Sequence, residues 1–235
     1  MQTSLFSAPA RAARLPAGLW ALLLGLGALL AWDASGLDLW AIRQVGGAAG
    51  FAWRESWLTT QLIHQGGRLL SWVMIGVILL ANLRPRQVLP GLTRGERLGW
   101  LLTTLLCLAV VSLIKRASLT SCPWDLAEFG GTAHYISHWA FGLRDGGGGH
   151  CFPSGHASAA FAFLSGGWVL ARAYPRLARA WLGGIIVLGV VYGMGQMLRG
   201  AHYPSHTMWT AWICWAITFA VAQIQPWIAR RRAAS

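Results

Sequence analysis

Long apolar runs, separated by short clusters of arginine, constrain this chain more than any other feature. Six runs stand out, near Ala17 to Trp32, Trp57 to Leu83, Leu98 to Ile114, Ala157 to Leu170, Trp181 to Leu198 and Thr207 to Ile224. Roughly 17 to 25 apolar residues cross the hydrocarbon of a bilayer. The pattern therefore predicts an all-α, integral membrane bundle of six transmembrane helices. Composition agrees, because 55% of the 235 residues are hydrophobic and only 11% are charged, with a mean hydropathy of +0.49. A soluble core of this size does not need that balance. His64, Gly66, Gly67 and Arg68 interrupt the second run and predict a kink or an interfacial stretch there. The first run has no small-residue cleavage site and is expected to be a retained helix.

The net charge is +12, and a basic chain can be a nucleic-acid binder, so the placement of the charge decides. Arg11 and Arg14, then Arg84, Arg86, Arg94 and Arg97, then Arg172, Arg176 and Arg179, and finally Arg230, Arg231 and Arg232 all fall between or beyond apolar runs. Such clusters mark cytoplasmic loops under the positive-inside rule and point to a bilayer, not to nucleic acid, as the partner. Both termini are then expected on the cytoplasmic side. The whole chain is expected to be one polytopic domain, with three helices in residues 1–114, an external loop at 115–156, and three helices in 157–235.

That topology places Asp33 to Ser56, Lys115 to His156, and Arg199 to His206 on the opposite, external face. The last two segments hold six of the seven histidines (His134, His138, His150, His156, His202 and His206), with Asp125, Glu128, Asp145, Lys115, Arg144 and Arg199. Polar groups gathered on one face of a membrane bundle suggest a site built on external loops. His134, His138 and Arg144 are expected to be ordinary solvated loop residues. In "FPSGHASAAF", Ser154 would cap the helix that follows and leave unpaired amides and the positive end of a helix dipole facing an anion. Gly155 would let a phosphate approach the backbone, and His156 would face it from the first turn. Lys115 ends the third run, and Arg199 and His202 end the fifth, so cations and a second histidine converge on the same face.

These residues resemble the type 2 phosphatidic acid phosphatase superfamily of membrane lipid phosphatases. Its pattern is a lysine, six residues, Arg-Pro; then Pro-Ser-Gly-His; then Ser-Arg, five residues, a histidine, three residues and an aspartate. Here Lys115 precedes Cys122-Pro123 by the same interval, Pro153 to His156 match in full, and His202 aligns with the last motif's histidine. The resemblance covers Lys115 to His206 and is closest to a bacterial branch with Cys-Pro-Trp-Asp in the first motif. It implies that His202 attacks phosphorus, that His156 protonates the leaving oxygen, and that Lys115, Arg199 and the amides near Ser154 and Gly155 hold the phosphoryl oxygens.

Two departures stand out: Cys122 replaces the first motif's arginine, while Gln196 and His206 replace the third motif's arginine and aspartate. Arg199, one helical turn along, is the expected substitute guanidinium. His206 is expected to orient His202 through a hydrogen bond, and Asp125 to supply the missing negative charge.

The resemblance implies a multi-pass enzyme of a cytoplasmic membrane, with its active site on the periplasmic side, acting on a membrane lipid phosphate. Neither cofactor nor metal is expected. His202 and His206, like His134 and His138, have the i to i+4 spacing of zinc sites, but Pro204 places His202 before the helix and His206 within it. Transfer of the phosphoryl group to another lipid, and a non-catalytic lipid-binding protein, are the alternatives, and homo-oligomerisation is left open.

Cys122 and Cys151 each lie beside a motif, either as two free thiols or as a disulfide contributing roughly 3 to 4 kcal/mol. Cys107 and Cys214 are expected to be packed thiols within helices. Tryptophans near the run ends, among them Trp20, Trp57, Trp100, Trp168, Trp209 and Trp227, are expected at the membrane interface. Trp124 and Trp139 would bury the long external loop or line a lipid entrance. Gly183, Gly184, Gly189, Gly193 and Gly195 predict close packing of the fifth helix.

Overall fold

The computed structural model describes residues 17–234. Arg11 and Arg14 lie outside the described residues, as do the side chains of Arg230, Arg231, Arg232 and Trp227. Helix α1 (Ala17–Ser35) turns into the short α2 (Leu37–Arg43), followed by a hairpin of β1 (Gly46–Gly47) and β2 (Gly50–Phe51). A π-helical segment, Leu58–Gly66, runs directly into α3 (Gly67–Leu83), and α4 (Arg94–Ala117) follows. Two 3₁₀ turns, Pro123–Asp125 and Ala127–Phe129, begin a long irregular stretch that ends at α5 (Gly155–Phe161). The chain closes with α6 (Ser165–Leu170), α7 (Pro175–Leu198) and α8 (Pro204–Ala234).

Among the described residues, five helices are long and apolar enough to cross a membrane: Gly18–Ser35, Leu58–Leu83, Arg94–Ala117, Pro175–Leu198 and Pro204–Ile224. Their outward residues are apolar, with Leu24, Leu69 and Leu83 each about two-thirds exposed or more. Such a surface belongs in lipid. The fourth expected span is not among the five. It is broken into α5 and α6, and bonds from Phe163 N–H to Ala160 O and from Gly166 N–H to Phe163 O carry the chain tightly through the break. The sixteen residues from Gly155 to Leu170 would reach about 24 Å as a continuous α-helix, short of the ~30 Å hydrocarbon core.

Helices α5 and α6 both pack on α7, while α8 packs against α1, α4 and α5. Their shared core contains Trp100, Cys107, Val111, Phe161, Phe163, Ile185 and Cys214. Trp100 and Trp209 are buried rather than interfacial, and Trp100 meets Trp181 edge-on with ring centroids 5.2 Å apart. Three of the five glycines on α7 make the contacts expected of them. A side chain at Gly189 would enter the Phe161 ring, one at Gly193 would strike Thr207, and one at Gly195 would strike Ile63. Gly183 and Gly184 face open space.

The arginine-bearing loops gather at one end of the bundle. Thr93 caps α4 in a reciprocal pair with Glu96, and Arg172 donates to both carboxylate oxygens of Glu96 at 2.7 Å, tying the α6–α7 connection to the start of α4. The opposite end carries a second, smaller core of Ile42, Phe51, Leu126, Phe129, Ala133 and Tyr203. It converts the segments expected as loops into a folded cap. Gly131 packs its α-carbon against the Asp125 carbonyl so closely that any side chain there would clash.

Candidate active site

Three helix starts or ends meet beneath this cap. Lys115 occupies the last turn of α4, His156 the first turn of α5, and His202 the five-residue bend between α7 and α8. His202 Nε2 lies 3.3 Å from His156 Nδ1. A cavity of about 330 Å³ opens beside His156, walled by Lys115, Gly155, His64, Arg68, Tyr192 and Gln196 among others. His202 itself is 1% exposed and stands behind His156, outside the cavity wall. Burial pushes its imidazole well below the ordinary histidine range, and the neighbouring His156, His206 and Lys115 push the same way. The backbone oxygen of Cys151 opposes them weakly. His202 is therefore neutral at neutral pH, with a free ring lone pair.

The phosphate-binding residues expected from the sequence divide. Lys115 and Gly155 are in place, with Lys115 Nζ donating to His150 O at 2.6 Å. Ser154 does cap α5, its Oγ accepting from Ala157 N–H at 3.3 Å. Its own N–H, however, donates to His206 O at 3.1 Å and is not available to an anion. The amides of Gly155 and His156 have no protein acceptor among the described residues. Arg199 does not line the cavity. Helix α7 ends at Leu198, Gly200 (φ 72°) turns the chain, and the Arg199 Nε–H is drawn to Arg54 O at 3.0 Å. Gln196 points into the cavity instead.

The two expected helpers of His202 are placed otherwise. Asp125 Oδ2 accepts from Cys122 N–H at 3.2 Å and so caps its own 3₁₀ turn. His206 makes no hydrogen bond to His202. The rings are 5.7 Å apart, and the first turn of α8 directs His206 edge-on against Phe152 and Tyr203. His138, expected as a solvated loop residue, is buried: its Nε2 sits 3.2 Å from Asp33 Oδ2 and its ring stacks on Phe152 at 4.1 Å. Trp139 and Trp209 also donate to Asp33 Oδ2, at 2.8 and 2.9 Å. His134 and Arg144 are exposed, as expected.

A family model described as the PAP2 superfamily matches residues 97–230, more than half of the chain. The chain belongs to the PAP2 superfamily. PAP2 membership makes it a phosphatase-type enzyme acting on phosphate esters. No curated protein and no solved structure matches it.

Three parts of this PAP2 site escaped the sequence. His64 packs against His156 with ring centroids 4.6 Å apart and planes tilted by 50°, and Arg68 adds a cation to the cavity wall. Both sit where the π-helical segment meets α3, and the available signal was their presence as ionisable groups inside an apolar run. Asp38 is the third. Its carboxylate accepts from Ser205 N–H and Trp32 Nε1–H, each at 2.9 Å, and from the Ser205 hydroxyl. Burial raises its pKa against those bonds. Asp38 thereby fixes the start of α8, between His202 and His206. Cys122 and Cys151 are joined as a disulfide beside His202. Their sulfurs and a His202 nitrogen lie within 4.8 Å of one another, the one such three-donor group among the described residues. Two of its three donors are spent on the disulfide, so the group offers no thiolate to a metal in this form.

Proposed function

We propose that the protein hydrolyses a lipid phosphate monoester or diphosphate through a phosphohistidine on His202, without a metal, at the periplasmic face of a cytoplasmic membrane. The observation that carries this reading is the pairing of His202 Nε2 with His156 Nδ1 at 3.3 Å beside a cavity lined by Lys115 and Arg68. A phosphoryl group entering from the cavity parts the two rings. Burial, with His64, Lys115 and Arg199 nearby, lowers the pKa of His156 to about 3 before a substrate enters, so the proton it uses arrives with the substrate's phosphate. His202 Nε2 forms a bond to phosphorus, the bond to the leaving oxygen breaks, and His156 passes that proton to the leaving oxygen. His156 next takes a proton from water, whose oxygen attacks phosphorus and releases His202 and phosphate. Lys115, Arg68 and the free amides of Gly155 and His156 neutralise the equatorial oxygens, the main task of a protein in phosphoryl transfer.

A lipid substrate is supported by the cavity's position and lining. Its walls come from α3, α4, α5 and α7, and Ile63, Ala159 and Tyr192 place apolar surface beside the cations. A phosphate carried on an apolar chain needs both. Purified full-length protein in detergent, assayed with and without a chelator against a panel of lipid phosphates, tests the proposal. Release of inorganic phosphate that survives the chelator is expected. A newly phosphorylated lipid without free phosphate would show transfer, and neither product would leave a lipid-binding role.

A further inference from the structure

The third motif's aspartate is missing, and no other acid takes its place at His202. All seven acids of the chain are engaged elsewhere: Asp33 with His138 and two tryptophans, Asp38 with Ser205 and Trp32, Asp125 with Cys122 N–H, and Asp145 with Ser121 and Gly147. Glu55, Glu96 and Glu128 face Arg54, Arg172 and Arg43. The nearest side-chain atom to His202 Nδ1 is sulfur, Cys151 Sγ at 3.5 Å, with both groups buried and the Cys151 backbone oxygen a weaker acceptor beside the ring.

A disulfide sulfur carries no proton, so it can only accept a hydrogen bond. The contact is attractive when Nδ1 holds the ring proton, and a neutral imidazole then has its lone pair at Nε2, the nitrogen facing His156. A thiol differs, because it is a donor with two acceptors in reach, Ala201 O at 3.1 Å and His202 Nδ1 at 3.5 Å. Donation to Nδ1 favours the other tautomer, which carries its proton on Nε2.

We propose that the Cys122–Cys151 disulfide is a positioning group for His202: as a sulfur acceptor at Nδ1 it selects the tautomer whose Nε2 is free to attack phosphorus, which makes turnover dependent on the redox state of this pair. The two replacements in the motifs are then one change. Cys122 stands where an arginine is expected and supplies half of the device that substitutes for the absent aspartate. Reduction by a phosphine or dithiol adds two electrons and two protons to the sulfurs, while the reductant is oxidised by two electrons. It breaks the S–S bond, gives Cys151 a donor, and frees the segment that precedes α5.

This inference rests on His202 as the proposed nucleophile, so the test carries one readout for the ring and one for the reaction. Full-length protein with ¹⁵N-labelled histidine is compared in detergent as oxidised, phosphine-reduced and reoxidised samples, together with the Cys122→Ser/Cys151→Ser double variant. His202 signals are assigned with His202→Gln. The oxidised ring is expected as the Nδ1–H tautomer and the reduced ring is expected to gain Nε2–H, reversibly. The turnover number should fall at least about tenfold on reduction, with KM changed less than about twofold, the mark of lost proton positioning rather than lost binding. His202 signals identical in the oxidised and reduced samples would overturn the inference, whatever the activity. A tautomer switch in a protein that releases no phosphate would uphold the positioning and refute the proposed hydrolysis.

Discussion

Asp38 holds Ser205 through both carboxylate oxygens, one taking the Ser205 N–H at 2.9 Å and the other its hydroxyl. Ser205 lies between His202 and His206, so an acid from α2, 167 residues earlier, sets the start of α8 and the bend that carries the proposed nucleophile. Asp38→Ala would leave the Ser205 and Trp32 donors buried and unpaired, at about 1–3 kcal/mol for each such group. A lower unfolding temperature and a lower turnover number are expected together in detergent. Asp38→Asn keeps one oxygen acceptor and should lose less of both.

The cations should separate by position. Lys115→Ala and Arg68→Ala remove charge from the cavity wall and are expected to lower kcat/KM by about 10²-fold or more. Arg199→Ala breaks a bond to the Arg54 backbone and removes a charge that acts on His64 and His156 from outside the cavity wall, and should change kcat/KM by less than about tenfold. Steady-state phosphate release from the three variants checks the order.

Gly189 and Gly183 lie six residues apart on α7 but differ in surroundings. A methyl group at Gly189 enters the Phe161 ring, whereas at Gly183 it meets open space. Gly189→Ala is expected to destabilise by about 1–3 kcal/mol through overpacking, and Gly183→Ala to be neutral or stabilising through its better helix propensity. Thermal unfolding of the two variants reads the difference.

His138 and His202 are both held neutral by burial, so their folded pKa values lie below the unfolded value of about 6.5. Below that pH the unfolded chain binds more protons than the folded one. The stability these groups contribute is therefore present above about pH 6.5 and is lost as pH falls toward their folded values. Unfolding temperatures measured between about pH 5 and pH 8 should decline on the acid side, and His202→Gln should flatten that decline.

The bundle was legible because bilayer solvation imposes long apolar runs, and five of the six expected runs are helices of spanning length. The interrupted fourth run was not, since α5 and α6 are as apolar as a continuous helix and only the tight bonds at 162–164 divide them. His156, His202, Lys115 and Gly155 were legible as a group because one sidedness argument puts them on one face. Asp33 and Asp38 were not. Each acts on residues more than a hundred positions away, and nothing in the adjoining sequence marks them as buried. Arg199 and Asp125 have the right chemistry at the right spacing, but closer backbone partners hold them. Helical spacing says which face a residue shares, and leaves open what its charged end will meet.

Phosphoryl transfer through His202 would leave a covalent mark on that residue. Protein quenched in alkali during turnover of a lipid phosphate, then digested and mapped by mass, tests it most directly. One phosphoryl group is expected on the peptide containing His202, absent in His202→Ala, whose turnover should fall at least ~100-fold. Undiminished phosphate release by His202→Ala, with a phosphoryl group on another residue or on none, would contradict it.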